Sequence, residues 1–288
     1  MPAITADQVK TLRDKTGAGM MECKAALTES NGDLEQAVDI LRKRGVAQAA
    51  KRAGRTTGEG LVGVRLSPDA KIGAIAEINC ESDFVARTED FQALLSDILN
   101  ATLTASPSTD PTSLIAPDSP IGQKVAATIA KLGENMAISR VNRLNGKGII
   151  GSYLHMGGKI GVLVDLAGVP ADKEQSEEVT TLLKELAMHI AAASPSYATR
   201  DAVPADVLAR EKDVYRAQVE ASGKPANVIE KIVDGKLGSF YAQVVLPEQP
   251  SVRDPKVTVA QMLEASSKSV GAPLSVPQFL RFKVGQTD

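Results

Sequence analysis

The sequence predicts an α+β protein: an N-terminal three-helix bundle, then a core of two similar subdomains with three-stranded antiparallel sheets and helices, plus a helical hairpin insertion. Three observations carry this. The first 46 residues hold three short helical patterns. A glycine-rich segment followed by two strand patterns occurs twice, at an offset of 88 residues from Gly58 to Gly146. The stretch from 194 to 236 carries helical patterns opened by prolines.

In the bundle, Thr5 with Gln8 three residues on is a capping-box pattern, and Val9 and Leu12 follow at helical spacing. Gly17-Ala18-Gly19 breaks this helix. A second runs from Met20 to about Ser30, stopped by Asn31-Gly32. Asp33 caps a third, in which Leu34, Ala37, Val38 and Leu41 share one face. Met20 lies on the face of Cys23 and Leu27, while Met21 sits ~100° away, so a bundle of this size buries one of the two. Each methionine reads either as core filler or as the one left on the surface, a soft, adaptable contact for a partner.

The repeat defines the core. Gly58-Glu59-Gly60-Leu61-Val62-Gly63 reappears as Gly146-Lys147-Gly148-Ile149-Ile150-Gly151, Lys71-Ile72-Gly73 as Lys159-Ile160-Gly161, and Glu77 as Asp165. Each copy reads as a strand (Leu61 to Leu66; Ile149 to Leu154), a polar turn and a second strand (Ile72 to Ile78; Ile160 to Leu166). A helical stripe follows each, with Phe91, Leu94, Leu95 and Ile98 in the first and Val179, Leu182, Leu183, Leu186 and Ile190 in the second. Third strands are expected at Ala137 to Leu144 and Phe279 to Val284. Ser106-Pro107 through Ser119-Pro120 reads as a loop. Pro204 and Pro225 open helices expected to end at about Ala221 and about Lys236. The resulting divisions are 1–46, a basic linker at 47–57, 58–145, an insertion at 194–236, and 146–193 with 237–288.

Composition narrows the function. A chain of 288 residues, 43% hydrophobic and 24% charged, is expected to bury a core and to fold as more than one unit. Two distant cysteines, Cys23 and Cys80, make neither a disulfide scaffold nor a zinc ribbon. With His155 and His189 as its only histidines, the chain has little material for a histidine metal site or a Ser-His-Asp triad. The first residues hold no basic n-region or apolar h-region, and no apolar run reaches the ~18 residues of a membrane span, so a cytoplasmic protein is expected.

Both glycine clusters satisfy G-x-G-x-x-G, but each enters a strand, and the dinucleotide fingerprint must open a helix. Tight entry into a sheet is the better reading. The net charge of −2 gives no global attraction to nucleic acid. The run Arg42, Lys43, Arg44, Lys51, Arg52 and Arg55 contains no carboxylate, and reads either as a solvated, partly helical linker or as an RNA or ribosome contact. His155 falls in a hairpin turn, and His189 continues a helical stripe as a half-buried histidine. Residues 82 to 87 form a separate turn before a helix start at Thr88-Glu89-Asp90. Phe84 in that turn is either packed on the sheet edge or the tip of an acidic-aromatic prong shaped to enter another protein.

Four stretches, in order, resemble bacterial elongation factor Ts: Thr16-Gly17-Ala18-Gly19-Met20-Met21-Glu22-Cys23-Lys24-Ala25-Ala26-Leu27, Ser82-Asp83-Phe84-Val85-Ala86-Arg87, Leu132-Gly133-Glu134-Asn135, and Ser152-Tyr153-Leu154-His155. The likeness runs from Ile4 to Val284. It implies a non-enzymatic guanine-nucleotide exchange factor for elongation factor Tu, without cofactor or metal, not bound to a membrane and with no stable nucleic-acid partner. It also implies a UBA-like bundle that docks through Arg13, Met20 and Met21. The motif Ser82, Asp83, Phe84, Val85 matches the family's inserting prong, with Asp83 and Phe84 as the pair that perturbs the partner's Mg²⁺ and phosphate loop. Leu132 and Gly133 match supporting positions, and His155 matches one facing another domain of the partner. The insertion is of a dimerisation type, so both one-to-one and two-to-two complexes are open. Ser82 stands where threonine is more usual, and ending at Asp288 implies the lack of a C-terminal helix that some members carry.

Overall fold

The computed structural model describes residues 4–106, 108–220 and 225–286. Helices α1 (Ala6–Thr16), α2 (Met20–Glu29) and α3 (Leu34–Arg52) form the N-terminal bundle. Thr5 and Gln8 make the reciprocal cap at α1, with each backbone amide donating to the other's side chain at 3.0 and 3.2 Å. The core is thin: Val9, Leu12, Cys23, Ala26, Leu27 and Ala37. Neither methionine joins it. Cys23, Ala26 and Leu27 fill the inner face of α2, and Met20 and Met21, in its first turn, stand 59% and 75% exposed. Helix α3 does not stop near 46. Its alanine-rich second half carries the helix through most of the expected linker to Arg52.

The core is two three-stranded antiparallel sheets. The first has the order β1 (Glu59–Leu66), β2 (Ile72–Cys80), β3 (Met136–Asn145), and the second β4 (Ile149–His155), β5 (Ile160–Ala167), β6 (Ser275–Lys283). The repeat sets the same register in both: Val62 pairs with Glu77, and Ile150 with Asp165. The central strands β2 and β5 are buried on both faces. Helices cover the outer faces, while Val62, Ile75 and Leu144 meet Ile150, Leu163 and Phe282 between the sheets. Strand β6 begins at Ser275, earlier than expected, because Pro277 sits on an edge strand at a register shift and so breaks no central ladder.

The glycines of the repeat are explained by close approach. A Cβ on Gly63 would lie 2.8 Å from Leu99, and one on Gly151 2.9 Å from Leu183, in the helices packed behind each sheet. The matching carboxylates are both buried. Glu77 accepts two bonds from Arg140, at 2.9 and 2.6 Å, and the amide of Gly285 at 2.8 Å; Arg140 also donates to the carbonyl of Lys283 at 2.9 Å. Asp165 accepts the amides of Lys147 and Gly148 at 2.8 and 3.0 Å.

Between the sheets' strands run α4 (Asp83–Ala86), α5 (Glu89–Thr104), α6 (Pro120–Leu132), α7 (Glu177–Ala193), α8 (Ala205–Glu220), α9 (Ala226–Val244) and α10 (Val259–Val270). Residues 82–87, expected as a turn, thus contain one helical turn. Helices α6 and α10 were not expected. Ser119 caps α6 with Pro120 at its first position, so the last residues of the proline-rich stretch are a helix start, not the end of a loop. The rest of that stretch holds a 3₁₀ turn at Pro111–Ile115; Pro107 lies outside the described residues. Gly45 of α3 is buried against Ala130 of α6, which seats the bundle on the first subdomain. The inserted helices form a hairpin tied by Arg216–Glu230 and Lys236–Gln218, both at 2.8 Å. Pro204 and Pro225 each stand one residue before their helix. The expected end of the first near Ala221 lies outside the described residues, and the second runs past Lys236 to Val244. Among the described residues, no helix is long and apolar enough to cross a membrane.

Candidate partner-docking surface

The chain leaving β2 is fixed at both ends around Phe84. Ser82 caps α4 by accepting the amide of Val85 at 3.4 Å. Thr88 closes it by donating its hydroxyl to the carbonyl of Val85 at 2.8 Å, and also accepts the amide of Phe91 to start α5. Val85 and Ala86 are buried and anchor the turn, which leaves Phe84 pointing away with 79% of its surface exposed. Asp83, beside it, pairs with Arg87 one turn on, at 2.7 Å. A large apolar ring on a rigid backbone is what an interface anchor requires, because little conformational freedom is lost on contact.

The base of this turn is held from β3's side by crossed carboxylates. Glu134 accepts the amide of Ser82 at 2.9 Å and its hydroxyl at 2.6 Å. Glu81 accepts the amide of Asn135 at 2.6 Å and pairs with Arg55 at 3.3 Å. The Asn135 amide, with the Arg55 guanidinium second, holds the Glu81 carboxyl below its ordinary range. Asn135 also donates its side-chain amide to the carbonyl of Arg55 at 2.9 Å. Beneath, Cys80 is buried, and desolvation, aided by the charge of Glu134, pushes its thiol up to about 11. It acts as a weak donor to the carbonyl of Ser82.

These bonds bring Leu132 and Gly133 to the base of this turn. Leu132 is half-buried, and Gly133 ends α6 in the left-handed region at φ 80° with open space over it. One residue earlier, the Lys131 side chain lies over Gly17 at the end of α1, where a Cβ would meet it at 3.4 Å, and donates to Asp90 of α5 at 2.7 Å. The α1–α2 turn, the end of α6 and the start of α5 therefore meet. Arg13, Met20 and Met21, all exposed, flank that turn, and Lys131 and Leu132-Gly133 lie in sequence between it and Glu134, which holds Ser82. His155 is not part of this cluster. It is exposed at the β4–β5 hairpin, with Nδ1 3.1 Å from the hydroxyl of Tyr153.

Sequence reasoning passed over Met156, 71% exposed at φ 50° beside His155, whose signal was a methionine in the turn Met156-Gly157-Gly158. It also passed over the roles of Glu81 and Glu134. Of the basic run, Arg44 pairs with Glu29, Arg52 donates to Gln48 and Arg55 pairs with Glu81, while Arg42, Lys43 and Lys51 are exposed. His189, expected half-buried, is fully buried and satisfied by Gln249 and Val252.

Comparison with known proteins finds elongation factor Ts. The family model described as elongation factor TS matches residues 81–286. The curated elongation factor Ts of Methylococcus capsulatus is 46% identical over 99% of this chain and 93% of its own length. That of Trichlorobacter lovleyi is 44% identical over the same shares, and that of Clostridium acetobutylicum 43% identical over 98% and 93%. On these matches, which take in the Phe84 turn, the crossed carboxylates and both sheets, the chain belongs to the elongation factor Ts family.

Proposed function

We propose that the chain releases GDP from elongation factor Tu by docking its N-terminal bundle through Arg13, Met20 and Met21 and inserting Asp83 and Phe84 beside the partner's Mg²⁺ and phosphate site. Family membership supplies the coarser part, a guanine-nucleotide exchange factor for elongation factor Tu in translation elongation. The observation that carries the finer part is Phe84, 79% exposed on a turn whose neighbours Val85 and Ala86 are buried.

The chemistry asks little of the chain itself. A nucleoside diphosphate held by a divalent cation and a nest of backbone amides leaves slowly, because those contacts must break together. A protein that binds better to the state with a distorted cation site lowers the nucleotide's affinity, and by linkage the nucleotide lowers the protein's own. In this reading Ser82 and Val85 hold the prong, Leu132 and Gly133 border its contact, and His155 reaches another domain of the partner.

The test is release of a fluorescent GDP analogue from elongation factor Tu with this chain at catalytic concentration. Acceleration with turnover, lost on substituting Asp83 or Phe84, is the expected result. Acceleration that survives both substitutions would remove the prong from the mechanism.

A further inference from the structure

We infer that Glu134, with Glu81 as its counterpart, is a positioning residue for exchange: the crossed carboxylates set where the prong points without touching the partner. The inference rests on the prong reading above. Its basis is a reciprocity. Glu81 receives the amide of the residue after Glu134, and Glu134 receives the amide of the residue after Glu81. Two strand ends that are neighbours only through the fold are thereby locked across each other, more than fifty positions apart in sequence.

The lock does more than close a sheet. Glu134 also takes the Ser82 hydroxyl at 2.6 Å, the same oxygen that caps α4. Capping and clamping thus converge on one side chain, while the weak Cys80 thiol bond holds only the Ser82 carbonyl. Charge-assisted bonds of this kind are about twice as strong as neutral ones. Glu81 is tied in turn to Arg55, which stands just beyond the end of α3, so the helix that carries the docking bundle and the base of the prong share one hydrogen-bonded frame. A side chain held this way meets its target without a search over orientations, and a shift of ~1 Å at such a contact can cost ~100-fold in rate.

A positioning role and a merely structural one separate in the kinetics. The full chain carrying Glu134→Gln, Ser82→Ala, Ser82→Thr or Phe84→Ala is titrated against elongation factor Tu loaded with a fluorescent GDP analogue. Each titration gives a maximal release rate and a half-saturating concentration, and thermal melting is read alongside. Glu134→Gln is expected to lower the maximal rate by about tenfold. Its half-saturating concentration stays within about twofold, because the docking residues Met20 and Met21 are untouched. Ser82→Ala is expected to follow it, and Ser82→Thr, which keeps the hydroxyl, to retain the rate. An undiminished rate for Glu134→Gln beside a loss for Phe84→Ala would overturn the clamp and leave the prong standing. An undiminished rate for Phe84→Ala would overturn the prong reading and this inference with it. If Glu134→Gln melts much earlier than the parent, the Ser82 pair decides, and equal rates for Ala and Thr would overturn the clamp.

Discussion

Val62 and Ile150, 88 residues apart, make the same hydrogen bond in opposite directions across the junction of the two sheets. Val62 donates its amide to the carbonyl of Gly158 at 2.7 Å, and Ile150 donates to Ala70 at 2.8 Å. The two acceptors are equivalent positions of the repeat, both with left-handed backbone at φ 94° and 53°. The junction is therefore self-complementary in the manner of a twofold dimer contact, although one chain supplies both sides.

The repeat's second glycines are predicted to tolerate no side chain. A Cβ at Gly60 would lie 2.1 Å from the carbonyl oxygen of Ile78, and one at Gly148 1.9 Å from that of Leu166. Both obstacles are backbone, so strands must part. Gly60→Ala and Gly148→Ala should each cost about 3 kcal/mol in denaturant unfolding. Gly58→Ala, with open space around it, should change stability by less than about 0.5 kcal/mol.

Phe84→Ala should lower GDP release from elongation factor Tu strongly while leaving stability within about 0.5 kcal/mol, because the ring is 79% exposed. Stopped-flow release and a melting curve on the same sample check both halves. A large fall in the melting midpoint would show that the ring packs in the fold instead.

Met20 and Met21 are predicted to act in docking alone. Replacing both with alanine should raise the half-saturating concentration for exchange by about tenfold, the loss of roughly one moderate anchor, with the maximal rate kept. Their exposure of 59% and 75% means that folding should not register the change.

His189 gives the stability a pH dependence of known sign. Nδ1 accepts the amide of Val252, which leaves the proton on Nε2 for Gln249. Burial holds its pKa below the ordinary 6.5, partly offset by the bond to Gln249. The folded chain thus resists protonation that the unfolded chain accepts. Stability is complete above 6.5, falls as pH drops from there towards the folded value, and levels off below it. His189→Asn should flatten the change in unfolding midpoint between about pH 7.5 and about pH 5.5. An unchanged slope in that variant would place the dependence elsewhere.

The two sheets were legible because a repeat states the same pattern twice, and Gly58 to Gly73 reads as a hairpin without any knowledge of its partner strands. Helix α10 was equally legible in principle. Thr258 and Gln261 make a capping box that sequence reading passed over. Helix α6 was masked by composition, since Ser119-Pro120 ends a proline-rich stretch and starts a helix with the same two residues. The exposure of Phe84 was undecided for another reason. Phenylalanine is usually buried, and only the caps at Ser82 and Thr88 turn this one outward. The crossed bonds of Glu81 and Glu134 could not be read at all, because they exist only once β2 and β3 are paired.

Strand β6, far along the sequence, sets when the fold can close. Strands β1, β2 and β3 are all present once residue 145 has been synthesised, whereas β5 waits for β6 until residue 283. Glu77, already paired with Arg140 in the first sheet, receives its final donor only from Gly285. A nascent chain therefore carries a complete first subdomain for the whole time that the insertion is being added, with the inner apolar face around Val62 and Ile75 still lacking Phe282. Closure of that face is a late event of long sequence separation, the kind that sets folding rate and leaves intermediates open to aggregation.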